Sequence, residues 1–288
     1  MSSHEAAQFL ASYHALEDAK FEMVQTVNAG VGKPLSGRQF RVAYLRLKLL
    51  AHIDSLLNII QNHFQYRIDQ SKRFKWRKTR FYPFDHYSIC SLGRVCFDAA
   101  LMLHYVSEPA LNLTEWNLRR KVLYLHDISN RHRFLKFGNK LVKDSLGEKV
   151  DDQWIVDGLV ADILMHLRDL NLDPDQNYTS GQMVYVKGVR GAVREAGWDV
   201  NEYEFQQAYL SNFVHTHPVS YMRASEHAIN FEEPSPAQYA AALVAILSAI
   251  NAATSSNQRC QMFLIEDGDQ LAGCFDKDGM QIGAIGNL

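Results

Sequence analysis

The chain has few cysteines and no excess of either charge. Its four cysteines show no Cys-x-x-Cys spacing, which argues against a zinc ribbon, a dithiol redox motif or a disulfide framework. Thirty basic residues nearly balance 32 acidic ones, so the charge of the whole chain does not indicate the class of partner. A reducing cytoplasm is therefore the expected compartment.

Long hydrophobic runs are also missing. The first residues, MSSHEAAQFL, lack the basic-then-apolar order of a signal peptide. The most apolar run, residues 239–253, is interrupted by Ser248 and Asn251 and is shorter than a membrane span requires. We therefore expect a core helix there, and a cytoplasmic protein without a membrane partner.

Several motifs of nucleotide and metal chemistry are absent as well. The sequence has no Walker loop, no dinucleotide-binding fingerprint, no Gly-x-Ser-x-Gly and no His-Glu-x-x-His. The adjacent residues His126 and Asp127 point about 100° apart on a helix, which is poor geometry for binding one ion. These absences predict no cofactor and no resident metal.

Hydrophobic residues recur at helical spacing through most of the chain. This pattern predicts helices over residues 5–27, 36–67, 86–106, 114–137, 151–170, 180–197, 202–217 and 236–255. Short apolar runs at residues 262–266, 271–275 and 280–285, separated by Asp-Gly turns, predict a small β-meander. The predicted fold is all-α: a multi-helix bundle over residues 1–255 with a β appendage over residues 256–288.

The predicted helix over residues 86–106 carries two opposite charges among apolar residues. A helix that is hydrophobic on every side is normally buried, and Arg94 and Asp98 are four residues apart, on one face. A buried ion pair is tolerated only with good geometry and further hydrogen bonds. The pair either holds helices in register or lines a cavity that a ligand enters.

Two other predicted helices also place polar residues on one stripe. On residues 114–137, Arg120 and Asp127 are seven apart on one face, and Arg119 and His126 form the adjacent stripe. On residues 202–217, Ser211 and His215 are four apart on one face, with Tyr209 close by. Such stripes on neighbouring helices are typical of a polar site inside a bundle. We therefore expect these residues to join Arg94 and Asp98 in one site.

At these positions the sequence resembles a family of microbial proteins called DUF5677. The resemblance rests on Ser91-Leu-Gly-Arg94-x-x-x-Asp98, on Trp116 with Arg119-Arg120, and on Tyr209-Leu-Ser211-x-x-x-His215. It covers roughly residues 88–250, and Asp98 stands where the family usually has glutamate. The resemblance implies an all-helical fold and a site of Arg94, Asp98, Arg120, Tyr209, Ser211 and His215, but no particular activity.

Residues 67–82 concentrate basic and aromatic side chains against one acid, Asp69. Cations attract phosphate and aromatic rings stack on bases, so this composition suits single-stranded nucleic acid. The expected contacts are Arg73, Lys75, Trp76, Arg77, Lys78 and Arg80. The alternatives are a solvated helix extension or a segment that docks on an acidic protein surface.

HEPN-type ribonucleases, which are also helical bundles, use an arginine and a histidine separated by four to six residues. Arg120 and His126 have comparable spacing, as do three other pairs, although chance supplies some of them. This analogy predicts an RNA, single-stranded nucleic acid or nucleotide phosphodiesterase. Its catalytic residues would be His215, Asp98 and His126, and its substrate-binding residues Arg94, Arg120, Asp127, Tyr209 and Ser211.

The alternative is a non-catalytic module that binds an anionic ligand or a protein partner, and a homo-oligomer is compatible with both.

Overall fold

The structure is a computed structural model that describes residues 3–30, 37–72, 84–137, 153–174, 176–214 and 235–266. Within those ranges the chain is helical and contains no β-strand. The helices are α1 (Ser3–Gly30), α2 (Gly37–Lys72), α3 (His86–Val106), α4 (Leu113–Phe137), α5 (Gln153–Asp169), α6 (Gln176–Thr179), α7 (Gly188–Glu195), α8 (Val200–Val214) and α9 (Pro236–Cys260). The predicted all-α class is confirmed.

Side-chain caps set the starts of α3, α4 and α9. Asp85 accepts a hydrogen bond from the backbone N–H three residues along, at 3.0 Å. Asn112 and Glu115 cap each other reciprocally at the start of α4, and Ser235 and Gln238 do the same at the start of α9. The predicted starts at residues 86 and 236 are confirmed, and α4 begins one residue earlier than predicted.

The first strand of the predicted β-meander is wrong. Residues 262–266 belong to a π-helical turn, Gln261–Glu266, that continues directly from α9. No glycine or proline interrupts the chain between Pro236 and this turn, so nothing ends the helix there. Phe263 is buried beneath the guanidinium of Arg38, which lies 4.9 Å from the ring centroid. The other two predicted strands, residues 271–275 and 280–285, lie outside the described residues.

The chain divides into two compact units. The first comprises Met1–Ser107 with Trp198–Leu288, and the second comprises Glu108–Gly197. In the first unit α3 packs against α2, α8 and α9, while α1 packs against α2 and α9. The fully buried aliphatic side chains of its core include Leu16, Met23, Leu49, Ile53, Leu56, Ile60, Ile89 and Leu101.

The second unit is built on the pairing of α4 with α5. Its core consists of Leu118, Val122, Leu125, Leu159, Ile163, Leu167 and Val186. The helix predicted over residues 180–197 is instead α7 alone, preceded by the single turn of α6. Gly181 and Gly188 have φ angles of 69° and 67°, in the left-handed region, and these interrupt the helical path.

Two helices in the described part of the chain are long and apolar enough to cross a membrane. They are α3 and the continuous helix Pro236–Leu264. This is weak evidence for membrane insertion, because the buried core helix of a globular protein has the same length and composition.

Candidate functional site

Helix α8 lies antiparallel to α3 within the first unit. Phe213, near the end of α8, contacts His86 at the start of α3, with ring centroids 5.7 Å apart. Tyr203, near the start of α8, contacts Phe97 with centroids 5.2 Å apart. The middle of α8 therefore faces the turn of α3 that carries Arg94, so two of the predicted polar stripes lie on packed helices.

The Arg94 and Asp98 side chains lie at the edge of this helix pair, so the prediction that the pair is buried is wrong. The Arg94 side chain is 27% exposed and that of Asp98 is 47% exposed. Arg94 Nε lies 3.7 Å from Asp98 Oδ2, longer than a hydrogen bond. The apolar faces of α3 are covered by α2, α8 and α9, but the stripe with these charges stays at the margin.

Asp98 is held mainly by α8 rather than by Arg94. Gln207 donates a hydrogen bond from its side-chain amide to Asp98 Oδ1, and the Tyr203 hydroxyl donates a second to the carboxylate. The partial burial of Asp98 raises its pKa, while Gln207, Arg94 and Tyr203 oppose that increase. The result is a carboxyl group with a raised pKa beside an arginine, an arrangement that can bind an anion or exchange a proton.

Ser211 and Tyr209, on the same helix, are engaged in local packing. Ser211 donates its hydroxyl proton to the backbone carbonyl of Gln207, one turn earlier. The Tyr209 ring lies between Phe205, at 5.9 Å, and Phe213, at 5.5 Å, and burial raises the pKa of its hydroxyl. In this geometry both side chains support α8, and their predicted role in substrate binding stays a prediction.

Arg120 and Asp127 belong to the second unit and have different surroundings there. Arg120 is buried and donates to the side-chain oxygen of Asn117 at 3.4 Å. Asp127 is 63% exposed and accepts a hydrogen bond from Arg131 at 2.7 Å. The predicted stripe of α4 is therefore divided between a buried arginine and an exposed ion pair.

His126 is hydrogen-bonded through both ring nitrogens. Its Nδ1 lies 3.0 Å from the carbonyl oxygen of Gly181, and its Nε2 lies 2.7 Å from the amide nitrogen of Asn130. A carbonyl only accepts and an amide nitrogen only donates, so this pattern fits the tautomer that carries its proton on Nδ1. The ring holds the Gly181 loop against α4, a structural role that leaves neither nitrogen available for proton transfer.

The remaining predicted site residues lie outside the described residues. They are His215, which directly follows the end of α8, and Arg73, Lys75, Trp76, Arg77, Lys78 and Arg80 of the basic segment. Their catalytic and nucleic-acid-binding roles stay predictions.

Two arginines that the sequence did not single out stabilise the end of α3. Arg38 Nε donates to the carbonyl oxygen of Val106 at 2.8 Å, and Arg259 donates to that of Ser107 at 3.3 Å. Cations near the last carbonyls of a helix satisfy unpaired acceptors and oppose the negative end of its dipole. Both arginines lie far from α3 in the sequence, so no local motif predicts these contacts.

A cleft of about 340 Å³ beside α8 and α9 was also missed by the sequence reasoning. Its lining residues are Phe97, Trp198, Asp199, Glu202, Tyr203, Gln206, Asn251, Thr254, Ser255 and Gln258. The rings of Phe97 and Trp198 stack at 4.9 Å with planes 5° apart. The one local indication of this cleft in the sequence is Trp198 directly before Asp199. The Asp199 side chain caps α8 by accepting a hydrogen bond from the Glu202 N–H at 2.8 Å.

Among the described residues, no group of three or more histidine, cysteine, aspartate or glutamate side chains is placed to hold a metal ion. Burial raises the pKa of Cys96 and of Cys260 to about 12, so both are unreactive thiols at neutral pH. No protein-family model, no curated protein and no solved structure matches this chain. The resemblance to DUF5677 therefore stays a prediction.

Proposed function

We propose that the protein is a ligand-binding module that recognises a phosphate-bearing anion at Arg94, on the face formed by α3 and α8. The observation that supports this is the guanidinium group of Arg94, which donates no hydrogen bond within the described residues and lies 3.7 Å from its ion-pair partner Asp98. A guanidinium group has five N–H donors in a planar fork that matches phosphate or carboxylate oxygens. Because the side chain is partly exposed, those donors are accessible to a ligand.

Asp98 influences which anion binds best. Its carboxylate is engaged by Gln207 and Tyr203, so it keeps its place beside Arg94 without consuming the guanidinium donors. It also lowers the local positive charge, so binding depends more on directed hydrogen bonds from the guanidinium, for which a phosphate group offers more acceptor oxygens than a carboxylate. We therefore expect a phosphate monoester or an oligonucleotide to bind better than a simple carboxylate.

The test compares two arginines that have the same sequence relationship to an aspartate. Arg94 lies four residues before Asp98, and Arg131 lies four residues after Asp127. Arg131, however, already donates a hydrogen bond to its aspartate at 2.7 Å. Pyrophosphate, adenosine monophosphate and a short oligouridylate are titrated into wild-type protein, Arg94→Gln and Arg131→Gln. Calorimetry gives the dissociation constants, and thermal unfolding gives the shift in Tm.

We expect at least one probe to bind wild-type protein and Arg131→Gln equally, and to bind Arg94→Gln at least about tenfold more weakly, as loss of a charge-assisted contact implies. If Arg94→Gln binds like wild type, or if no probe binds, the proposal is wrong. Unchanged Tm values without ligand would show that both variants are folded.

A second candidate, a nucleotide or nucleic-acid phosphodiesterase, is favoured by the raised pKa of Asp98 beside Arg94. A carboxyl group with a raised pKa is better suited to general acid–base work, and the arginine would stabilise phosphate charge. In this reading His215 assists proton transfer, and the basic segment that includes Arg73 guides the substrate. Turnover of RNA or a cyclic nucleotide by wild type, with its loss in Asp98→Asn and His215→Ala, would favour the enzyme, whereas binding without turnover favours the module.

A further inference from the structure

The cleft beside α8 has an aromatic wall. Phe97 contacts both neighbouring rings, Trp198 at 4.9 Å and Tyr203 at 5.2 Å, and all three line the cleft. Phe97 and Tyr203 are buried, so the rings are held in place by the core. Trp198 is the least buried of the three rings, and the faces of aromatic rings carry negative electrostatic potential that attracts organic cations.

The rim of the same cleft is acidic. Asp199 and Glu202 line it, and its lining contains no lysine, arginine or histidine. Asp199 Oδ1 accepts the Glu202 backbone N–H at 2.8 Å, and Glu202 Oε1 accepts from Gln206 at 2.6 Å. Within the described part of the chain, the second oxygen of each carboxylate has no hydrogen-bond partner. Each acid therefore retains an acceptor for a ligand.

The start of α8 does not reverse this charge. A helix N-terminus carries roughly half a positive charge, whereas the two carboxylates together supply two negative charges. Asp199 already accepts one of the N-terminal amides as the cap of the helix. The cleft therefore has net negative character despite its position at a helix start.

We propose that this cleft binds a small organic cation, with an ammonium or guanidinium group held between the aromatic wall and Asp199 and Glu202. Its volume, about 340 Å³, is in the range of small-molecule sites. The site goes beyond the proposed anion function, because Arg94 is not among the residues that line it. Tyr203 donates its hydroxyl to Asp98, so it contributes its ring rather than its oxygen to the cleft.

Choline and its uncharged isostere 3,3-dimethylbutan-1-ol provide a matched pair of probes, since they have the same shape and differ in charge. Agmatine is the guanidinium probe. All three are titrated calorimetrically into the full chain and into the double variant Asp199→Asn/Glu202→Gln. Asparagine still caps a helix and glutamine still accepts from Gln206, so the double variant removes charge while keeping the local hydrogen bonds. The control, Asp18→Asn/Glu22→Gln, removes the same charge from the exposed face of α1.

We expect choline or agmatine to bind wild type and the control equally, and to bind the double variant at least about tenfold more weakly, as loss of both charge-assisted contacts implies. We also expect choline to bind wild type more tightly than its uncharged isostere. Equal affinity for choline and the isostere would overturn the proposal, since the cleft would then recognise shape alone. It is also wrong if neither cation binds. Unaltered binding of phosphate probes by the double variant would show that this site and the Arg94 site are separate.

Discussion

Gly93 of α3 lies so close to Ala245 of α9 that a Cβ atom added to the glycine would come within 2.7 Å of the alanine Cβ. Buried alanines continue along α9 on both sides of this contact, at Ala241, Ala242, Ala249, Ala252 and Ala253. Small side chains allow the two helix backbones to approach closely. Arg94 is the next residue, about 100° around the helix, and this contact therefore turns it away from α9 and toward the margin of the unit.

We expect Gly93→Ala to lower the free energy of unfolding by about 1–3 kcal/mol, because the added methyl group overpacks the contact with Ala245. This exceeds the gain in helix propensity of up to about 1 kcal/mol that alanine brings. Urea denaturation measures the change. Gly158→Ala in α5 is the matched control, since no atom lies within 4 Å of its added Cβ and the substitution should stabilise. Equal stability of the two variants would contradict the close contact.

Three carboxylates that pair with arginines should differ in their contribution to stability according to burial. Glu195 accepts from the buried Arg119 at 2.6 Å and also from Lys187 at 2.9 Å, and its side chain is 21% exposed. Glu195→Gln removes a carboxylate charge from the buried Arg119 and should cost about 3 kcal/mol. Asp127→Asn, in an exposed pair, should cost less than about 0.5 kcal/mol. If the two variants are equally stable, the Arg119 charge is compensated in some other way.

The loss of stability caused by Asp98→Asn should be small, close to that expected for the exposed pair of Asp127. Because the pair with Arg94 is partly solvated and too long for a hydrogen bond, we expect a change below about 1 kcal/mol at neutral pH. A structural buried ion pair would instead cost about 3–5 kcal/mol. Urea denaturation distinguishes these two outcomes. A decrease in the free energy of unfolding of more than about 3 kcal/mol would show that Asp98 belongs to a structural core ion pair.

The pH dependence of the same variant has a definite sign. Burial raises the pKa of Asp98 above its usual 3.8, so the folded protein holds this proton more tightly than the unfolded chain. Stability then falls as the pH rises from the usual value through the raised one. Asp98→Asn removes that fall, so its stability relative to wild type should increase with pH over this window. An unchanged difference across the window would contradict the raised pKa.

Local signals predicted the helices well. Asp85 and Ser235 announce the starts of α3 and α9 as caps, and both caps are present. The strand predicted at residues 262–266 was wrong because it rested only on an apolar run beside an Asp-Gly turn. A short apolar run has no decisive period, and the absence of a helix breaker after Pro236 was the stronger signal.

The site was harder to predict because it depends on which faces pack. Apolar residues all round α3 indicated burial of Arg94, yet the contact at Gly93 and the position of α8 leave that stripe at the margin. The aromatic cluster joins Phe97 to Trp198, about one hundred residues apart, and no spacing rule relates them. Helical spacing identified Arg94 and Asp98, but their exposure and their partner Gln207 required tertiary structure.

His104 gives the sharpest prediction of acid sensitivity. It is 5% exposed, lies edge-on to Trp198 with centroids 5.2 Å apart, and neither ring nitrogen has a hydrogen-bond partner among the described residues. Burial, and then the charge of Arg259, lower the pKa of His104 from 6.5 to about 4. The folded protein therefore keeps the ring neutral while the unfolded chain takes up a proton below the usual value.

The stability that His104 contributes is thus present above about pH 6.5 and is lost as the pH falls toward about 4, by about 3 kcal/mol in total. His104→Phe keeps an edge-on aromatic contact with Trp198 and cannot be protonated, so its stability should fall less over this window. Urea denaturation at a series of pH values measures the two slopes. If His104→Phe loses stability with acid as steeply as wild type, another group controls the acid sensitivity, because phenylalanine has no proton to gain.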